Sequence, residues 1–163
     1  MKIITTSRSG IETLTEHDFL SKFNFAVISI TNTYSKDVSI KISTNLKGLL
    51  RLKFDDIEKD EIKDNVNYKA ISNKQAKYIV NFVNNIKNEI DLLIVQCEAG
   101  LSRSVGVAAA ISLFINGTEG EFFSLKRPSY YPNMKCYRAV LEAFGMSNIP
   151  MSKGEVEKCV QNI

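Results

Sequence analysis

Histidine and cysteine are scarce in this sequence, and their scarcity excludes several kinds of site. His17 is the only histidine among 163 residues, so a multi-histidine metal centre or a cysteine–histidine protease pair has little to draw on. The three cysteines form no Cys-x-x-Cys pair, which argues against a zinc site and against a disulfide framework. We therefore expect no metal and no other cofactor, and a reducing, cytoplasmic environment.

The sequence also lacks long apolar runs and a strong excess of either charge. No run approaches the ~18 apolar residues of a membrane span, and the N-terminus has no hydrophobic region of the kind found in signal peptides. The net charge of +3 falls short of the basic clustering expected of a nucleic-acid-binding protein. We expect neither a membrane nor a nucleic-acid partner.

The composition is typical of a globular protein. Its 44% apolar and 24% charged residues are ordinary for a soluble domain, and 163 residues suffice to bury a sizeable core. We predict a single domain over 1–163, with a core of about 1–146 and a C-terminal tail or helix over 147–163.

Apolar runs of strand length alternate with helix signals along the chain, as in α/β proteins. Ser72 and Gln75 form a capping box that opens a helix between two such runs, and a helix in that position favours parallel pairing of the strands. The stretch 31–45 predicts either a short strand or an extended loop. We expect an α/β fold with a central, mostly parallel sheet of four or five strands flanked by helices. Strands are predicted at 2–6, 25–30, 49–54 and 92–95, and helices at 11–19, 72–86, 103–116, 119–124 and 134–144.

The segment after the fourth predicted strand has the pattern of a phosphate-binding loop. Cys97 follows the strand at once, and after five more residues Arg103 and Ser104 stand where a helix is predicted to begin. A strand, a tight loop and a helix N-terminus together bind phosphate, because the loop amides turn inward and the helix dipole points at the anion. The amides predicted to bind phosphate belong to Glu98, Ala99, Gly100, Leu101, Ser102 and Arg103.

A cysteine beneath such a loop indicates nucleophilic catalysis. A thiol at a helix N-terminus beside an arginine is favoured as a thiolate, so Cys97 could attack a phosphorus atom held in the loop. The guanidinium of Arg103 would bind two phosphate oxygens, and Ser104 would donate a hydrogen bond to the sulfur as the intermediate breaks down. The segment predicts cleavage of a phosphate monoester through a cysteinyl-phosphate.

These residues resemble the signature of the cysteine-dependent protein tyrosine phosphatase superfamily. The chain is most similar to small dual-specificity-like phosphatases of the microbial and phage type, and the likeness extends over about 27–144. It implies a phosphatase-like α/β fold and metal-independent hydrolysis of phosphotyrosine, with phosphoserine and phosphothreonine as further substrates. The substrate would be a phosphorylated protein or a small phosphate monoester. Gln96 departs from the family, which has a histidine there that holds the loop and tunes the thiolate.

A leaving oxygen needs a proton donor, and the resemblance implies an aspartic acid on a loop that follows an upstream strand. The strand predicted at 49–54 ends at two aspartates, and this alignment assigns the general acid to Asp56, with Asp55 as its alternative. Counting back from the cysteine nominates Asp64 instead. We favour the end of the strand because insertions collect in loops, and we interpret 58–67 as an inserted, solvated charged loop.

Asn133 precedes the last predicted helix. The resemblance implies that it helps to hold the phosphate loop; capping of the helix is the other interpretation, and both can hold.

Two other functions share parts of this pattern. A binding module that captures phosphorylated partners without turnover is supported only by Gln96. A sulfur-transfer or arsenate-reducing enzyme would need a resolving cysteine, and none is convincing here.

Overall fold

A computed structural model describes residues 1–124 and 126–146 of the chain. The tail or helix predicted over 147–163 lies outside the described residues. Among the described helices, none combines the length and the apolar character needed to cross a membrane.

A four-stranded parallel sheet forms the centre of the fold. In chain order its strands are β1 (Lys2–Thr6), β2 (Phe25–Thr31), β3 (Leu46–Lys53) and, after a separate two-stranded hairpin, β6 (Leu92–Gln96). The spatial order is β1-β6-β2-β3, and every pairing is parallel. Strand β2 lies inside the sheet and is buried along its whole length, as its almost continuous apolar run predicts. The predicted α/β sheet is confirmed, and all its strands end at one edge.

Within residues 1–124 and 126–146, four α-helices cover the two faces of the sheet. They are α1 (Arg8–Glu16), α2 (Asn73–Ile86), α3 (Arg103–Asn116) and α4 (Met134–Ala143). The last three pack on one face, over a core that includes Ile28 and Val95. On the other face α1 packs with a smaller cluster to which the extended segment 31–45 contributes Val38 and Ile40. Apart from Thr31, the last residue of β2, that segment forms no strand, so of the two predicted alternatives the extended loop is correct.

Local hydrogen bonds explain where the helices begin and end. The capping box of α2 is formed as predicted, with Ser72 and Gln75 each accepting from the other's backbone amide. Helix α1 begins earlier than the predicted 11–19, because the Ser7 side chain caps it by accepting from the Gly10 amide, and a short 3₁₀ helix at Asp18–Lys22 follows. The helix predicted at 119–124 is wrong: a single turn bond from the Phe122 amide to the Glu119 carbonyl is formed there.

The segment 58–67 was expected to be a charged loop, but most of it is a β-hairpin. Strands β4 (Glu61–Lys63) and β5 (Val66–Tyr68) pair antiparallel. The two turn residues, Asp64 and Asn65, have φ of 51° and 63°, which suits Asp and Asn in a two-residue hairpin turn. Asp60 fixes the base of the hairpin by accepting from the Ala70 amide at 2.9 Å.

Candidate active site

Cys97 lies at the bottom of a pocket of about 370 Å³ at the carboxyl edge of the sheet. Its side chain is buried, and its amide donates to the Thr6 carbonyl at 3.2 Å, which ties the loop to the end of β1. The sulfur lies 3.1 Å from Ser104 Oγ and accepts from the Gly100 amide at 3.3 Å. Both groups can stabilise negative charge on the sulfur.

Only glycine fits at position 100 of the loop. Gly100 has a φ of +74°, a backbone conformation that other residues rarely adopt. A Cβ there would lie 2.6 Å from the Thr6 carbonyl carbon and 2.7 Å from the Ser7 amide nitrogen. The predicted phosphate-binding loop, residues 97–103, therefore packs directly on the turn between β1 and α1.

Arg103 is the first residue of α3 and is almost fully buried beside the pocket. One guanidinium nitrogen, Nη1, donates to the Phe54 carbonyl at 2.6 Å, which fixes the side chain against the end of β3. Its Nε has no hydrogen-bond partner within the described parts of the chain. A buried donor without a partner is costly, so this nitrogen is suited to an anion in the pocket.

The Asp56 side chain lies across the same pocket, held by two donors. Its Oδ1 accepts from Ser102 Oγ at 2.8 Å and from Asn133 Nδ2 at 2.8 Å. Ser102 was predicted for its backbone amide alone, and the bond from its side chain to the aspartate was missed. The other oxygen of Asp56, Oδ2, takes part in neither of these two bonds.

Asp55 also borders the pocket, but both of its oxygens are occupied. Oδ1 accepts from the Thr33 amide at 3.1 Å, and Oδ2 accepts from Thr33 Oγ1 at 2.5 Å and from the Lys69 amide at 2.8 Å. Burial alone would raise the pKa of Asp55, yet the bonds from Thr33 and Lys69 and the charge of Arg103 hold that pKa below its usual value. The Asp55 carboxylate therefore connects three segments: its own, that of Thr33 and that of Lys69. Asp64 lies in the hairpin turn and is not among the residues that line the pocket.

Gln96 precedes the loop on β6, and Asn133 contacts the loop from the start of α4. Gln96 is completely buried, and its Oε1 accepts from Ser29 Oγ on the neighbouring strand at 2.7 Å. Asn133 caps α4 by accepting from the Cys136 amide at 2.9 Å, and its own amide donates to the Ser102 carbonyl at 3.1 Å. The structure thus brings together both interpretations of Asn133, the cap and the contact with the loop.

Arg8 lies beside the site, in contact with a lining residue, and the sequence reasoning missed it. Its guanidinium binds both carboxylate oxygens of Glu98, with distances of 2.8 and 3.0 Å. The hydrogen bond to Arg8 is the main reason that the pKa of Glu98 lies below its usual value; burial opposes it. A signal was present: Ser7 and Arg8 directly follow β1, which ends at the same edge of the sheet as β6.

Comparison with known proteins bears on the fold. No protein-family model and no curated protein matches the chain. Among solved structures, DUSP15 is 19% identical, with a TM-score of 0.54, over 98% of this chain and 91% of that one. A mouse putative dual specificity phosphatase, complexed with zinc tungstate, is 16% identical, with a TM-score of 0.52, over 84% of this chain and 78% of that one. The chain has the fold of the dual-specificity phosphatases, which confirms the predicted fold; the microbial or phage type stays a prediction.

Proposed function

We propose that the chain is a phosphate monoester hydrolase that works through a cysteinyl-phosphate intermediate. The observation that carries the proposal is one pocket lined by a buried thiol, Cys97, a buried arginine, Arg103, and a clamped carboxyl group, Asp56. These three groups correspond to a nucleophile, an anion-binding group and a proton donor. The dual-specificity phosphatase fold supports the same reaction class.

In the first step the phosphate dianion occupies the loop. The loop amides and Arg103 bind its non-bridging oxygens, where the charge of the transition state lies. The Cys97 thiolate attacks phosphorus in line as the bond from phosphorus to the leaving oxygen breaks. Asp56 gives its proton to that oxygen, so the product leaves as a neutral alcohol or phenol.

In the second step water cleaves the intermediate. Asp56, now a carboxylate, takes a proton from the attacking water, a bond forms between that oxygen and phosphorus, and the sulfur–phosphorus bond breaks. Ser104 Oγ, 3.1 Å from the sulfur, donates a hydrogen bond to the departing thiolate. Inorganic phosphate leaves, and the protonated Asp56 and the thiolate are restored without a step assigned to a metal.

The proposed substrate is phosphotyrosine, with phosphoserine and phosphothreonine as further substrates. The pocket wall above Cys97 includes two apolar or aromatic side chains, Ile57 and Tyr68. A buried sulfur at the base of such a wall suits a phosphate carried on a ring, because the ring spans the depth and contacts the wall. Tyr68 is brought there by the hairpin of β4 and β5.

Hydrolysis of p-nitrophenyl phosphate in the presence of EDTA tests the proposal. Wild-type protein should release nitrophenol, and Cys97→Ser should abolish release. Cys136→Ser is the matched control, because Cys136 is an equally buried free cysteine that does not line the pocket, and it should keep turnover. A wild-type protein that binds vanadate or phosphopeptides without turnover would instead support the binding module. Absence of both activity and binding would refute both functions.

A further inference from the structure

The charges that line the pocket are unfavourable for the anion that the pocket is proposed to bind. Of the lining residues, Asp55, Asp56 and Glu98 are acidic and only Arg103 is basic. A phosphate dianion entering such a lining would meet net repulsion, which a partly buried setting screens weakly. The loop amides and the N-terminus of α3 favour the anion, and a group that cancels one of the acidic charges would add to their effect.

Two of the three acids are accounted for at the site itself. The carboxylate charge of Asp55 is stabilised locally by donors from Thr33 and Lys69 and by the charge of Arg103. Asp56 carries a proton when substrate is bound in the proposed mechanism. Glu98 remains, and it directly follows the nucleophile, at the wall of the pocket.

We infer that Arg8 is a positioning residue for the phosphate site, which cancels the charge of Glu98 and fixes its side chain so that the loop can accept a phosphate dianion. The inference rests on the proposed function for the identity of the anion. The guanidinium makes a two-bond contact with the carboxylate, the geometry that gives arginine pairs both strength and a fixed direction. Both side chains are about 30% exposed, so the pair is shielded from much of the solvent.

The backbone around Arg8 shows that the contact is built into the fold. The Arg8 amide donates to the Glu98 carbonyl at 3.1 Å, so the two residues are joined by main chain as well as by side chains. Arg8 Nη2 also donates to the Lys36 carbonyl at 2.9 Å. Lys36 lies on the loop after β2, and that loop contributes Asn32 to the pocket wall. One guanidinium therefore connects the phosphate loop to a second wall of the pocket.

Binding of inorganic phosphate, measured by calorimetry at low ionic strength, tests this role with three variants. Arg8→Gln leaves Glu98 uncompensated and should weaken phosphate binding by roughly tenfold. Glu98→Gln removes the repulsion and leaves Arg8 positive, so it should bind phosphate at least as tightly as the wild type. The double variant should return to within roughly threefold of the wild type, a rescue that a purely structural role of Arg8 would not give.

Arg51→Gln is the control, because Arg51 also donates to a loop carbonyl, that of Val38, whereas the described residues give it no ion pair with a carboxylate of the pocket lining; its phosphate affinity should be unchanged. Unchanged binding by Arg8→Gln, or a double variant as weak as Arg8→Gln alone, would overturn the inference. If Arg8→Gln does not fold, Glu98→Gln decides, since weaker phosphate binding by it would contradict the charge argument.

The p-nitrophenyl phosphate assay separates this inference from the proposed function. Absent turnover with the expected order of phosphate affinities would refute the enzyme and support the role of Arg8. Normal turnover with equal phosphate affinities in the wild type and the Arg8 and Glu98 variants would support the enzyme and refute the role of Arg8.

Discussion

Asp55 and Asp56 are neighbours in the chain, but their carboxyl groups have opposite surroundings. Asp55 is buried and accepts three hydrogen bonds from Thr33 and Lys69, whereas Asp56 is exposed to the pocket and is held on one oxygen only. The sequence places both at the end of a strand but cannot distinguish them, because the partners of Asp55 come from two distant loops. Asp64, the third candidate, is part of the hairpin turn.

Asp56→Asn should slow formation of the cysteinyl-phosphate, and the effect should be larger for a more basic leaving oxygen. We expect kcat/KM to fall by about 10²-fold or more for phenyl phosphate and far less for p-nitrophenyl phosphate, whose phenolate needs little protonation. Steady-state kinetics with the two esters measures this difference. The assignment of the general acid is wrong if Asp55→Asn or Asp64→Asn shows the same selectivity instead.

Asp55→Asn should lower stability. Because the folded-state pKa of Asp55 is depressed, its carboxylate stabilises the fold above the unfolded-state pKa of about 3.9 and loses this effect as the pH falls through the folded-state value. We expect a loss of about 1–3 kcal/mol in the free energy of unfolding near neutral pH, relative to the wild type. This loss should become smaller below about pH 4. Urea unfolding at several pH values measures it. Asp64→Asn, an exposed control, should have little effect. If the difference in unfolding free energy between wild type and Asp55→Asn grew in acid, the stabilising role of the Asp55 carboxylate would be contradicted.

At the scale of elements, the N-terminus of α4 is positioned by its close approach to α3. A Cβ on Gly106 of α3 would lie 2.4 Å from the Asn133 carbonyl oxygen, so the two helices meet there without room for a side chain. Asn133 in turn donates to Asp56, so helix packing is linked to the proposed general acid. The capping box of α2 could be read from local sequence, but this contact could not, because it joins segments that only the tertiary fold brings together.

Gly106→Ala should therefore damage both stability and catalysis. Overpacking of this kind costs about 1–3 kcal/mol, and displacement of Asn133 should reduce kcat/KM more for phenyl phosphate than for p-nitrophenyl phosphate. Gly120→Ala is the control, since a Cβ at Gly120 would meet only the Thr118 hydroxyl at an ordinary 3.5 Å. Thermal unfolding and the two-ester assay measure the effects. A Gly106→Ala protein with wild-type stability would show that the helices can separate freely.

At the scale of the whole molecule, the parallel sheet could be predicted because apolar runs of strand length, such as 25–30 and 92–95, alternate with well-marked helices. The hairpin of β4 and β5 was missed because its strands are only three residues long. Strand β4 is exposed throughout, and the alternation of Val66 and Tyr68 in β5 is too short to identify a strand. The loop cysteine and arginine could be predicted from local spacing. The partners that surround them, Arg8 and the Ser102 hydroxyl, depend on which strands lie side by side.

The contacts that complete the site join parts of the chain that are far apart in sequence. Arg8 and Glu98 are 90 residues apart, Asn133 and Asp56 are 77 apart, and Arg103 and Phe54 are 49 apart. Closing such long loops is slow compared with forming a helix, so these contacts should be made late when the chain refolds from denaturant. We expect helical circular dichroism to recover before phosphatase activity does, and simultaneous recovery would contradict this order. The recovery of catalytic turnover would therefore report when the last stage of folding is complete.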